Sequence, residues 1–135
     1  MKFVSYVCVI NLVVILQVSA QSHRVSVVDF IKVKNNHYQE ALYFYQNNWK
    51  VFREVARKQN YVQSFTFFKS VPPDTSKFDF LLITSYSDST QFKLSEERFQ
   101  KIIRELRPNG LNLLNGFKAN DIRQIVHSKI VNELF

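Results

Sequence analysis

A chain of 135 residues with one cysteine has little scope for cysteine chemistry. That residue, Cys8, lies in the N-terminal apolar run, so everything after it lacks cysteine. Disulfides, thiolate nucleophiles, Cys-based zinc sites and iron–sulfur clusters are therefore excluded from the remainder. Glycine is almost as scarce: Gly110 and Gly116 are the two present. Phosphate-cradling glycine loops and dinucleotide fingerprints are missing, and so is a G-x-S-x-G elbow. The three histidines, His23, His37 and His127, are not spaced as metal pairs, so no metal site is expected. Glu96 and Glu97 are adjacent carboxylates, but neighbours on a helix point apart, and these two read as complements to a helix N-terminus.

The chain also lacks a basic block. Lys and Arg total 18 against 11 Asp and Glu. Losing Lys2 with the leader described below would leave 17 against 11, a net charge of +6. Those cations are scattered over Lys32–Lys34, Lys50–Lys58, Arg98–Arg107 and Lys118–Lys129. Nothing resembles a nucleic-acid arm, and a solvated basic surface is expected, with no nucleic-acid partner.

What is present begins with MKFVSYVCVINLVVILQVSA. A lysine, an apolar run and small residues at Val18-Ser19-Ala20 form an export signal cleaved after Ala20, which predicts a periplasmic or secreted protein. The competing reading is an uncleaved anchor, the one expected route to a membrane. Cys8 lies inside the apolar run and not at the cleavage point, which argues against a lipoprotein. Residues 21–135 then suffice for one domain with a real core.

Within that domain, SFTFFKSV and FDFLLITSY are aromatic, β-branched runs joined by Pro72-Pro73-Asp74-Thr75-Ser76-Lys77, so they predict a hairpin. Phe78, Phe80, Leu82 and Tyr86 are expected on one face, with Leu81 and Ile83 on the other. VSVVDFIKVK (Val25–Lys34) predicts another strand apolar on both sides, with Val25, Val27, Ile31 and Val33 sharing a face with the single charge Asp29. Between these strands, His37–Asn60 has neither Pro nor Gly. Its Tyr38, Ala41, Leu42, Tyr45, Trp49, Phe52 and Ala56 recur at helical spacing, giving a helix of about 35 Å. Asn35 or Asn36 is its expected N-cap and Asn60 its stop. After a polar bend at Ser87–Thr90, Ser95-Glu96-Glu97 opens a second helix that ends at Pro108-Asn109-Gly110. Leu111–Asn120 is expected to be short helical or irregular. Ile122–Val126 is the expected fourth strand, with Ile130, Val131, Leu134 and Phe135 as an apolar tail.

Strand, helix, strand, strand, helix, strand is the split βαβ, ferredoxin-like order. It predicts an α+β domain, a four-stranded antiparallel sheet with two helices on one face. The second face would be bare although it carries Val28, Phe30, Phe68 and one side of the Phe78–Tyr86 run, or else the equivalent opposite set. The economical cover is a second copy, in a homodimer.

VDFIKVK, Tyr38, Trp49-Lys50, FDFLLITSYSD, EERFQKIIREL and the LLNGFKANDIRQIVHSKIV tail resemble the dimeric α+β barrel proteins, and more narrowly their exported, uncharacterised bacterial members. The resemblance implies a cavity for a small apolar or aromatic molecule. Relatives of this type include cofactor-free monooxygenases and haem-binding enzymes, so both remain alternatives, as does an interaction module using the open sheet face. Relatives carry a histidine shortly after the Trp-Lys pair, where this chain has Arg53. Asp29, Tyr38, Tyr45, Trp49, Arg53 and Tyr86 are the candidate lining residues. Among them Asp29 is the candidate base, because a carboxylate among apolar neighbours is held toward its neutral form and can take a phenolic proton. The bland reading of Asp29 pairs it with Arg123 or Lys34. That of Tyr38, Tyr45 and Trp49 is plain core packing, and that of Arg53 a surface arginine. No cofactor is expected; His127 is the one candidate ligand for haem.

Overall fold

The computed structural model describes residues 23–71 and 77–134. The proposed leader and the Pro72–Ser76 turn lie outside them. Four strands, β1 (Val25–Val33), β2 (Ser64–Lys69), β3 (Phe80–Tyr86) and β4 (Arg123–Asn132), form one antiparallel sheet in the order β2-β3-β1-β4. With helices after β1 and β3, this is the ferredoxin-like arrangement expected from the sequence.

The register lays side chains out in rows. On one face run Phe65–Thr84–Val27–Ile130, Phe67–Leu82–Asp29–Ser128 and Lys69–Phe80–Ile31–Ile125. On the other run Ser64–Ser85–Ser26–Val131, Thr66–Ile83–Val28–Lys129 and Phe68–Leu81–Phe30–His127. Among the described residues, helices pack on the first face alone. Ile31, Phe80 and Leu82 are buried there against Ala41, Phe44, Tyr45 and Trp49, while Tyr86 joins Phe52, Ala56 and Ile102. Burying a side chain such as Phe80, at 0% exposure, contributes about 1.5–3 kcal/mol. On the second face, Phe68 is 51% exposed and Val28, Phe30, Leu81 and Ile83 are only half-buried. The sheet is thus apolar on both sides and helix-covered on one.

The long helical segment is α1 (Tyr38–Phe44), a π-helical turn (Tyr45–Trp49) and α2 (Lys50–Lys58) in succession. Asn35 and Asn36 do not cap it. Both are left-handed, at φ 52° and 60°, and form the turn out of β1, leaving His37 at the N-cap without a side-chain bond. Asn60 does end the segment, also left-handed at φ 57°. The Ser87–Thr90 bend contains the start of a short helix, α3 (Ser89–Lys93), whose N-cap Asp88 accepts the Gln91 backbone N–H at 2.8 Å. Helix α4 spans Ser95–Leu106 and α5 spans Ala119–Ile122.

Two strand expectations are corrected. Phe78 meets Phe30 edge-on at 5.1 Å, on the helix-free side, instead of lying beside Phe80. The alternation begins only at Phe80, because Asp79 bends back to β1, accepting the Val33 N–H at 2.7 Å and Lys32 Nζ at 3.2 Å. The supposed apolar tail is largely strand, since β4 runs on to Asn132 and takes in Ile130 and Val131. Its register slips between Phe30 and Ile31, whose partners are His127 and Ile125, so Val126 is an extra residue. This bulge turns Ile125 and Arg123 toward the helix side, where an unbroken alternation would have placed Val126 and Gln124.

Candidate functional site

A cavity of about 270 Å³ lies between the helices and the middle of the sheet. Ile31 and Leu82 form its floor. Phe44, Trp49 and Phe52 form one wall, and Ile103 and Leu111 close another. Four sequence candidates reach it: Asp29, Tyr45, Trp49 and Arg53. Tyr38 does not line it; its ring packs on Phe80 at 5.1 Å with Lys69 Nζ 5.1 Å above. Tyr86 is buried beside Phe92 at 5.6 Å and also lies outside the lining.

Two local irregularities border this space. Phe44, Tyr45, Asn48 and Trp49 continue the buried stripe that begins at Ala41, at the spacing of an amphipathic helix, and the π turn lies within that stripe. The bulge in β4 adds Arg123 and Ile125 from the opposite side. Sequence reading missed Asn48 and gave Arg123 only as a counter-ion for Asp29. Asn48, at 1% exposure, had one signal: a polar residue inside the helix's apolar stripe. It is fully satisfied. Its Nδ2 donates to the Phe44 and Asn112 carbonyls at 3.1 and 2.7 Å, and its Oδ1 accepts the Asn112 N–H at 2.9 Å and Arg107 Nε at 3.5 Å. These bonds fasten the loop that carries Leu111 to the π turn.

The polar groups are uneven. Asp29 accepts from Ser128 Oγ at 2.6 Å, so its partner is neither Arg123 nor Lys34. Arg53 donates from Nε to Thr84 Oγ1 at 3.3 Å and lies between two rings, 4.7 Å from Trp49 and 4.4 Å from Phe99. Burial lowers its pKa to about 10, with the charges of Tyr86, Asp29 and Tyr45 opposing the fall, so it stays cationic at neutral pH. Arg123 stacks 5.0 Å from Phe44 and 5.8 Å from Tyr45. Among the described residues neither guanidinium forms a carboxylate ion pair. The buried Arg123 Nε and Tyr45 hydroxyl have no hydrogen-bond partner among them.

Burial is the largest cause holding the Tyr45 phenol above its ordinary pKa; Arg123 and Arg53 oppose this and Asp29 adds to it. Tyr86 is raised too, again chiefly by burial, with its Ser95 hydrogen bond opposing. A folded pKa above the unfolded value of about 10 stabilises the fold below that pH and ceases to do so as pH rises through the folded value. An ultraviolet titration is therefore expected to resolve late-ionising tyrosines, with a smaller late amplitude in Tyr45→Phe. Ionisation of every tyrosine near pH 10 in the folded protein would contradict this burial.

His127 stands on the helix-free face, its ring 5.8 Å from Phe30, and the cavity lining contains no histidine. The residues present therefore do not fit a haem held by His127 inside the cavity. Among the described residues no group of three His, Cys, Asp or Glu is placed to hold a metal ion, and no helix is long and apolar enough to cross a membrane.

No family model and no curated protein matches the chain. Solved structures do. HapK from Hahella chejuensis superimposes with a TM-score of 0.51 at 11% identity, over 82% of this chain and 92% of that one. A conserved protein of unknown function from Bacteroides thetaiotaomicron, described as a possible oxidoreductase, gives 0.49 at 11%, over 84% and 99%. A dimeric protein of unknown function and ferredoxin-like fold from Bacteroides fragilis gives 0.48 at 12%, over 84% and 96%. The chain is similar to these in fold, and at such identities the likeness extends to fold alone.

Proposed function

We propose that this protein binds a small ring-containing apolar molecule in the cavity between sheet and helices, and does so as an exported homodimer. The observation that carries the reading is the cavity itself: about 270 Å³, walled by aromatic and aliphatic side chains, with a few polar groups converging on it. Pairing of two copies is supported by the helix-free face. There Phe68, Leu81 and Phe30 form one apolar row, and Ile83 and Val28 lie in the next. A two-fold axis lets one such patch cover its own copy. Export is supported by the leader sequence alone, and mass spectrometry of secreted protein starting at Gln21 would establish it.

Trp49 is the only tryptophan in the chain and lines the cavity, so its emission reports on occupancy. Small nitroaromatic quenchers, neutral and charged, are expected to quench it saturably, and native mass spectrometry is expected to find one small molecule per chain. A linear, non-saturating response to every member of the panel would remove the ligand-binding reading.

A further inference from the structure

We propose that the cavity selects an aromatic carboxylate, with the ring against Trp49 and Phe44 and the acid group taken by Arg123, Tyr45 and Arg53. This rests on the cavity being a ligand site and names what that site prefers.

Unmet hydrogen-bond capacity and excess positive charge at the cavity favour such a ligand. Two guanidinium groups face the cavity, against one carboxylate. That carboxylate, Asp29, is already engaged by Ser128. Among the described residues Arg53 has one hydrogen bond, to Thr84, and otherwise touches ring faces. Arg123 has ring faces on one side and a buried Nε with no partner among the described residues. The Tyr45 hydroxyl is buried beside it and equally without a partner there. A buried donor left unmet is costly, and a buried cation more so. A neutral apolar ligand would displace water from these groups and offer nothing in return. A planar carboxylate offers two acceptor oxygens to donors that are already fixed, and an aromatic ring suits walls made of Phe44, Trp49 and Phe52.

The approach is cationic as well. A second depression, of about 340 Å³, shares Arg123 and Ile125 with the cavity and continues to Lys34. Lys34 Nζ is bonded there to the Asn120 carbonyl at 2.7 Å, which adds a third positive charge on the Arg123 side. Asp29 is the opposing charge: it lies in the Phe67–Leu82–Asp29–Ser128 row on the floor of the cavity and acts on Arg53 and Tyr45, so the two guanidinium groups outnumber it without being neutralised. Arg123 reaches the site only because β4 is bulged, so the same device that breaks the strand's alternation supplies the acid-binding group.

The test titrates the full mature protein with 4-nitrobenzoate and with its neutral counterpart 4-nitrobenzamide, read by quenching of Trp49. The acid is expected to bind more tightly by about tenfold or more, as for a hydrogen-bonded charge pair. In Arg123→Gln that preference is expected to fall close to unity. Should Arg123→Gln fail to fold, Tyr45→Phe removes a single buried oxygen and is expected to cut the preference about threefold. Equal binding of acid and amide by the wild type, or a preference unchanged in the variant that folds, overturns the carboxylate assignment and leaves the cavity reading standing. Failure of both probes to bind overturns the two together.

Discussion

Asn48→Ala is expected to lower stability by about 2–3 kcal/mol, a large loss for one polar residue. The reason is the number of groups that depend on a single side chain. The amide joins the Phe44 carbonyl, both backbone groups of Asn112 and the Arg107 guanidinium, at 1% exposure. Alanine removes all four bonds at once, and water entering from the adjoining cavity would replace only some of them. Arg107 would retain its bonds to the Asn47 and Leu106 carbonyls, at 2.6 and 2.9 Å, so the loop is loosened and not released. Leu111 would lose its fixed place in the cavity wall, and quenching of Trp49 by nitroaromatics should weaken together with stability. Urea unfolding of wild type and variant measures the first effect, and the Trp49 titration the second. A loss below about 0.5 kcal/mol, the range of an ordinary surface change, would show that the loop does not depend on Asn48.

Ile83→Lys is expected to convert the proposed dimer to a monomer, raising its dissociation constant more than about a hundredfold. Ile83 sits between Thr66 and Val28 in the middle row of the helix-free face. Its side chain points away from the helix-packed core, so a lysine there can extend into water in a monomer. Against a second sheet the same charge would be buried and unpaired. Size-exclusion chromatography with light scattering reads the change, and circular dichroism should report an unaltered fold. Gln46→Lys adds the same charge on the exposed side of the π turn and should leave the dimer intact. A wild type that runs as a monomer, or an Ile83→Lys variant that stays dimeric, would show that this face does not pair two copies.

Much of the fold was legible because it rests on short-range periodicity. Strict alternation in VSVVDFIKV and FLLITSY specifies strands whose two faces are both apolar, and the three- and four-residue spacing from Ala41 to Ala56 specifies a helix that covers one of them. From these patterns came the element order, the ferredoxin-like sheet and the expectation that one face remains open. The same alternation put Asp29 in an apolar row, which the register confirms as Phe67–Leu82–Asp29–Ser128. Tyr45, Trp49 and Arg53 reach the cavity from the helix stripe. Tyr38 and Tyr86 share the same side of the fold but pack beyond the cavity, against Phe80 and Phe92.

The remainder was decided by how distant segments meet. A bulge exists only relative to a partner strand, so the placement of Arg123 depends on Phe30 and Ile31, about ninety residues earlier, and nothing in RQIVHSKIVN announces it. Asn48 lies in the helix stripe by its spacing from Ala41 and Phe44, but its partner Asn112 is 64 residues away and is brought to it only by the fold. Composition and alternation thus determined that this protein has a doubly apolar sheet with a helical cover on one side. Only the tertiary structure decided where the cavity lies and that two arginines face it, because both follow from contacts between residues far apart in the chain.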